Sequence, residues 1–196
     1  MRLLRALLLP GLLGAACGGG TPPGERALIW ARSADSATLD PAEAEWGEDL
    51  KVIAALYEPL VSFDARGAIE PRLATSWTFS EDGLAATFAL RSGVAFHDGS
   101  PLDAESVAFT FARLLDPAHP QRPKIAPYAA NFKDLLNVEA SGPSTVVFRL
   151  RRPTRLLLHA LALPAGSIVS PAAARKHGAR FAQNPSGTGP FRLGRW

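Results

Sequence analysis

Between Trp77 and Leu90 the apolar side chains fall on alternate residues, first in Trp77-Thr78-Phe79 and again in Thr87-Phe88-Ala89-Leu90, with Glu81-Asp82-Gly83 between them. Period-two runs joined by a turn tripeptide predict an antiparallel hairpin. Val146, Phe148 and Leu150 alternate in the same way and predict another strand. Leu60–Phe63, the Asp64-Ala65-Arg66-Gly67 turn and Ala68-Ile69 predict a smaller hairpin, and the apolar run Ala27–Ala31 predicts a buried strand.

Other stretches carry their apolar residues at helical spacing. Trp46, Leu50, Ile53, Ala54 and Tyr57 recur as the stripe of an amphipathic helix that Pro59 ends. Asp103 is placed to cap a second helix bearing Val107, Phe111, Leu114 and Leu115 on one face, with Asp116-Pro117 as its stop. A proline-rich loop, Ala118–Pro127, precedes a predicted short helix carrying Phe132, Leu135 and Leu136. Pro153–Leu163 and Pro171–His177 read as helices, the latter closed by Gly178. Helical and strand patterns alternate irregularly, which gives a mixed α and β class with no internal repeat.

The first residues follow a different pattern. Arg2 and Arg5 precede the apolar run Leu7–Leu13, and small residues lead to Cys17, the chain's only cysteine. The run is far short of the roughly 20 residues that span a hydrocarbon core, so residues 1–16 read as an export signal. The cysteine's position resembles the lipidation box of bacterial lipoproteins, although Gly14 stands where a leucine is usual; plain secretion with an incidental cysteine is the alternative. Residues 17–26 then form a lipidated cysteine and a flexible glycine-proline tether.

The 196 residues, 47% hydrophobic and 20% charged, suit one packed domain or part of a larger one and exclude a disordered chain. With Cys17 assigned to lipid, no thiol remains for a disulfide, zinc or thiolate catalysis. The net charge of +3 includes Arg2 and Arg5, and no acidic residue follows Glu139 while nine Arg and Lys residues do. Without stacking aromatics between them, these cations read as a solvated face or as partners for acidic groups elsewhere, and nucleic acid is not an expected partner.

Catalytic groupings are not apparent. His97, His119, His159 and His177 lack metal-ligand spacing, so no metal is expected. Asp98-Gly99 is a turn dipeptide, which accounts for the His97-Asp98 pair without catalysis. Pro185-Ser186-Gly187-Thr188-Gly189 is not a nucleophile elbow, and Gly187-Thr188-Gly189 is not a dinucleotide fingerprint because Arg192 occupies the third glycine position.

Taken together, several segments resemble one known family. Pro71–Trp77, Asp82-Gly83-Leu84, and Phe88 through His97-Asp98-Gly99-Ser100-Pro101 to Val107 are similar to the signature of family 5 extracellular solute-binding proteins, which serve ABC importers of oligopeptides, dipeptides and nickel. Thr38-Leu39-Asp40-Pro41, Leu56–Val61 and Asn184–Phe191 continue the resemblance in order along the chain.

The resemblance implies an α/β, two-lobed periplasmic binding protein-like fold of class II type, present only as its N-terminal part. It implies a first segment of lobe I at 27–42, an inserted or adjacent lobe at 43–166 and a return to lobe I at 167–196. The implied function is capture of a peptide or related small solute outside the cytoplasmic membrane for ABC permease subunits. The protein would be a monomer, anchored through lipid on Cys17, with no cofactor and no enzymatic activity. The loop Asp35-Ser36-Ala37-Thr38 and the segment Tyr128–Asn131 are the expected ligand contacts, with Asp35, Ser36, Tyr128 and Asn131 the named residues; Asp35 as a turn residue and Tyr128 as a cap on the proline-rich loop are the alternatives. Family members are considerably longer than this chain, so an apolar sheet edge near Phe191 and Leu193 and only weak solute binding are also expected. The alternative function is a nonfunctional remnant or a structural surface lipoprotein of the same family.

Overall fold

The period-two runs form the strands predicted for them. In the computed structural model, which describes residues 30–196, β1 (Val61–Phe63) and β2 (Ile69–Pro71) make a small hairpin. The main sheet contains β3 (Ala74–Phe79), β4 (Ala85–Leu90), β5 (Leu135–Ala140) and β6 (Thr145–Leu150), in the order β3-β4-β6-β5 with every neighbour antiparallel. Alternation places Ala86, Phe88 and Leu90 of β4 on the same buried face as Val146, Phe148 and Leu150 of β6.

Helix α2 (Ala104–Leu115) covers this face. Asp103 caps it as predicted, its carboxylate accepting the Ser106 N–H at 2.8 Å. Phe111 meets Phe148 and Phe132 edge-on, with ring centroids 5.0 and 5.4 Å apart, and Phe88 meets Phe148 at 5.1 Å. Each ring stabilises by roughly 1.5–3 kcal/mol through burial, with edge-to-face contacts adding to it.

Two predicted elements are corrected. The helix placed on Phe132, Leu135 and Leu136 is only a 3-10 turn, Ala129–Phe132; Leu135 and Leu136 open β5, where pairing with β6 buries the first and exposes the second. The Pro153–Leu163 helix shrinks to α3 (Leu157–Ala162), because the Thr154 hydroxyl takes the Leu156 N–H and holds the preceding residues in a turn. The strand predicted at Ala27–Ala31 lies mostly outside the described residues; Trp30 and Ala31 join no ladder and are exposed.

The helix predicted from Trp46 onward is α1 (Gly47–Leu56), but its buried face differs. Trp46 is an exposed cap residue, whereas Asp49, Ile53 and Leu56 face inward. Helix α4 (Pro171–His177) follows the prediction closely: Ser170 caps it, Pro171 takes the first helical position, and Gly178 closes it at φ +51°.

The segment Arg32–Trp196 folds as one unit containing two apolar clusters. The first lies between the sheet, α2 and α3. The second gathers Leu39, Ile53, Leu56 and Tyr57 with Phe109, Val169, Ala174 and Phe181, so α1 packs against the last part of the chain. Phe191 belongs to neither cluster and is exposed. The sheet edge expected near Phe191 and Leu193 is not formed: Gly189 and Phe191 donate their N–H groups to Leu56 and Ala55, satisfying the last carbonyls of α1. That approach requires glycine, since a Cβ at Gly187 would lie 2.2 Å from the Leu56 carbonyl oxygen and one at Gly189 2.5 Å from that of Ala55.

Candidate functional site

The loop from Arg32 to Thr38 is built of short polar side chains that bond to one another and to the first turn of α1. The Arg32 guanidinium donates to Ser36 Oγ at 3.0 Å, to Asp35 Oδ1 at 3.1 Å and to the Glu48 carbonyl at 3.3 Å. Ser33 Oγ donates to Glu48 Oε1, and the Ala37 N–H donates to Asp49 Oδ1 at 2.8 Å. Asp35 is exposed, and the Ser36 N–H and the Trp196 indole N–H, with Arg32 adding to them, hold its carboxyl below the usual carboxylate range. Ser36 is buried. Trp196, which bonds to Asp35, also walls a polar cavity of about 620 Å³ with His97, Asp98, His177, Arg192 and Arg195; among the described residues, none of the loop itself lines it.

After the loop, the chain is fixed by an interior ion pair. The Asp40 carboxylate receives both terminal nitrogens of Arg113 on α2, and both side chains are at most 4% exposed. Arg113 also donates Nε–H to the Gln121 carbonyl and lies over the Phe181 ring. The Tyr57 hydroxyl donates to the Leu39 carbonyl at 3.0 Å, and burial pushes the phenol well above its ordinary pKa.

The His97-Asp98-Gly99-Ser100 turn is a fastener. His97 Nε2–H donates to the Gly189 carbonyl at 2.9 Å, and Nδ1 accepts the Gly187 N–H at 3.4 Å. The Asp98 N–H donates to Ser186 Oγ, and the Asp98 carboxylate accepts the hydroxyls of Ser100 and Ser170. Burial pushes this carboxyl up, but those hydroxyls and the Ser100 N–H outweigh it and hold the group below its usual value. The turn thus ties the signature loop to the Ser186–Gly189 segment and to the cap of α4, a role that suits turn chemistry rather than catalysis.

Tyr128 is half-buried against the first cluster and stands immediately before the 3-10 turn, where its carbonyl accepts the Asn131 N–H. Asn131 is exposed at the rim of a cavity of about 310 Å³, which has Leu135, Leu157 and Leu163 as its floor and Phe63, Lys133 and His159 around it. The structure therefore brings Asp35 and Ser36 together, and Tyr128 and Asn131 together. Neither Asp35 nor Ser36 lines the Asn131 cavity, and no hydrogen bond links the two pairs among the described residues. Cys17 lies outside the described residues. Among the described residues no group of three or more His, Cys, Asp and Glu could hold a metal ion, and no helix is long and apolar enough to cross a membrane.

Asp49 and Arg113 escaped sequence reasoning. Each sits on an apolar helix face, at the spacing of Ile53 and Leu56 in one case and of Phe109 and Leu114 in the other. A charge on such a face was the available signal.

Comparison with known proteins follows the same lines. A family model described as bacterial extracellular solute-binding proteins, family 5 Middle, matches residues 68–196. The glutathione-binding protein GsiB of Escherichia coli (strain K12) is 34% identical over 170 residues, 86% of this chain and 32% of that protein. The periplasmic binding protein DppA from Helicobacter pylori, solved with the peptide STSA, superposes with a TM-score of 0.74 at 32% identity, over 83% of this chain and 35% of its own. NikZ from Campylobacter jejuni, solved with Ni(L-His), gives 0.72 at 31% identity, over 83% and 32%. The chain spans about a third of the length of the curated relatives it matches.

Proposed function

The chain belongs to the family 5 bacterial extracellular solute-binding proteins, which bind rather than catalyse, and on that premise we propose that it captures a peptide or a related small solute outside the cytoplasmic membrane and serves an ABC permease. The observation that carries this reading is the family match across residues 68–196, joined by likeness at more than 30% identity to proteins solved with a peptide and with a nickel–histidine complex. Capture needs shape, hydrogen bonding and a preference for the ligand-bound conformation, and no reactive group.

The Asp35–Thr38 loop is the assigned ligand contact. Its exposed Asp35 carboxylate suits the ammonium or amide N–H groups of a short peptide. Tyr128 and Asn131 are assigned a second contact, with 27–42 and 167–196 in one lobe and 43–166 in the other. Leu39 packs with Val169 and Phe181 as that division requires, while Ile53, Leu56, Tyr57 and Phe109 share their cluster, so the packing runs across the 43–166 boundary.

Titration of the isotope-labelled protein with glutathione and with the dipeptide Met-Leu, followed by NMR, tests the reading. Saturable shifts at Ser36 and Ala37 are expected, with a Kd weaker than about 10 μM, or roughly 7 kcal/mol, because the loop meets the ligand from one side. No saturable shift with either compound overturns peptide capture. Lipid attachment at Cys17 is the assigned anchor: Cys17→Ser should leave the membrane fraction, and retention after a carbonate wash would remove that assignment.

A further inference from the structure

Asp49 is a carboxylate where a helix ordinarily buries leucine. It is the third residue of α1, 1% exposed, on the same inward face as Ile53 and Leu56. Its Oδ1 accepts the Ala37 N–H at 2.8 Å, while Oδ2, equally buried, has no partner among the described residues. A carboxylate buried with one oxygen unpaired is less favourable than an apolar side chain in the same space. The positive end of the α1 dipole offsets part of this penalty. Packing of α1 therefore does not account for an aspartate at this position. What Asp49 does accomplish is external to its helix, since the N–H it holds belongs to the loop assigned to the ligand.

The loop has other ties on either side of Ala37. Arg32 to Asp35 and Ser33 to Glu48 are exposed and screened by water and salt, Arg32 to Ser36 and to the Glu48 carbonyl are partly buried, and Thr38 bonds to Glu43 and the Asp40 N–H. At Ala37 itself the one side-chain tie among the described residues is to Asp49, a part-buried bond whose acceptor is fully buried.

We propose that Asp49 is a positioning residue for solute capture, acting through Ala37 to fix the Asp35–Thr38 loop in the shape that meets the ligand. The proposal rests on the reading of that loop as a ligand contact. Asp49 does not touch the ligand.

Amide hydrogen exchange and a Met-Leu titration on the 196-residue protein test it together. Asp49→Ala should speed exchange at Ala37 at least tenfold while amides of Phe88 and Val107 stay unchanged, and should weaken Met-Leu binding fivefold or more. Asp49→Asn keeps an acceptor at Oδ1 and should restore both values to within about twofold. Ala37→Pro removes the donor without altering α1 and should reproduce the loss of affinity, which keeps the test decisive even where Asp49→Ala does not fold. Unchanged exchange at Ala37, or exchange that rises equally in α1 and the sheet, overturns the proposal. So does a freed Ala37 amide with unaltered Met-Leu affinity. Failure of the unsubstituted protein to bind Met-Leu removes the ligand reading of the loop instead, and the exchange rates still decide whether Asp49 fixes it.

Discussion

The two apolar clusters are assembled by different rules. In the first, neighbouring strands are joined by short turns, and the buried face is written as alternation along β4 and β6. In the second, residues 39–57 meet residues 169–191 across most of the sequence, and hydrogen bonds align them: Leu39 N–H to the Ala182 carbonyl, Gly189 and Phe191 N–H to the Leu56 and Ala55 carbonyls, with Asp40–Arg113, Tyr57–Leu39 and His97–Gly189 bracing the two sides. Apolar contacts are non-directional and tolerate small shifts, whereas a hydrogen bond fails within a fraction of an ångström. The first region can therefore rest on area, while the second depends on geometry. The candidate ligand loop joins the second region, which suits a binding surface that must hold its shape.

The largest effect should come from the region that depends on area. Phe148 is fully buried and touches both Phe88 and Phe111, so Phe148→Ala should lower stability by about 3–5 kcal/mol. Denaturant unfolding followed by circular dichroism measures it. A loss below about 1 kcal/mol would mean that the sheet face is not the principal support, and the contrast between the clusters would collapse.

The ion pair sharpens the contrast from the other side. Arg113→Met preserves much of the volume but leaves Asp40 buried and alone, and should cost about 3 kcal/mol, as removal of one partner from a buried pair does. Adding Asp40→Leu should recover most of the loss, since a buried pair replaced by apolar groups is often neutral. Stability restored while the Asp35–Thr38 amides lose exchange protection is the expected pattern for a pair that aligns rather than stabilises. If the double variant stays as unstable as the single one, the pair supplies net stability and the second cluster follows the same rule as the first.

What was legible in the sequence divides along the same line. The hairpins, the Asp103 cap and the Pro171–Gly178 limits of α4 each follow from residues within a few positions of one another, and each is readable. Phe132, Leu135 and Leu136 stand at helical spacing and predict a helix; only β6, pairing alongside, decides that Leu135 and Leu136 open a strand with one facing in and one out. The helical spacing of Trp46 with Leu50 and Ile53 predicts it on the buried stripe of α1, yet the inward position belongs to Asp49, whose partner is the backbone of Ala37. The resemblance points to Asp35 and Ser36 as site residues, but the bonds that shape their loop run to Glu48, Asp49 and Trp196, contacts that no local pattern encodes. The family resemblance located the loop without revealing what holds it.

The smallest expected effect is a pH dependence at the fastener between the two regions. Asp98 has a carboxyl held below its ordinary value, because the Ser100 and Ser170 hydroxyls outweigh burial. A depressed carboxyl favours the folded state most when both states are ionised, so its contribution is complete above the unfolded value near 3.8 and is lost as pH falls through the lower folded value. Asp35, Glu48 and Asp82 are depressed as well, so the acid limb alone does not report on Asp98. The informative quantity is the difference between the unsubstituted protein and Asp98→Asn, which should be constant above about pH 5 and should shrink toward pH 2. Ser170→Ala should flatten that difference partway, since it removes one of the donors. The loss should appear first in the amides of Gly187 and Gly189, which the turn holds against Leu56 and Tyr57, and only later in β4. Simultaneous loss at all of these amides would mean that the fastener and the sheet unfold as one unit, and that the two clusters do not differ in how they come apart.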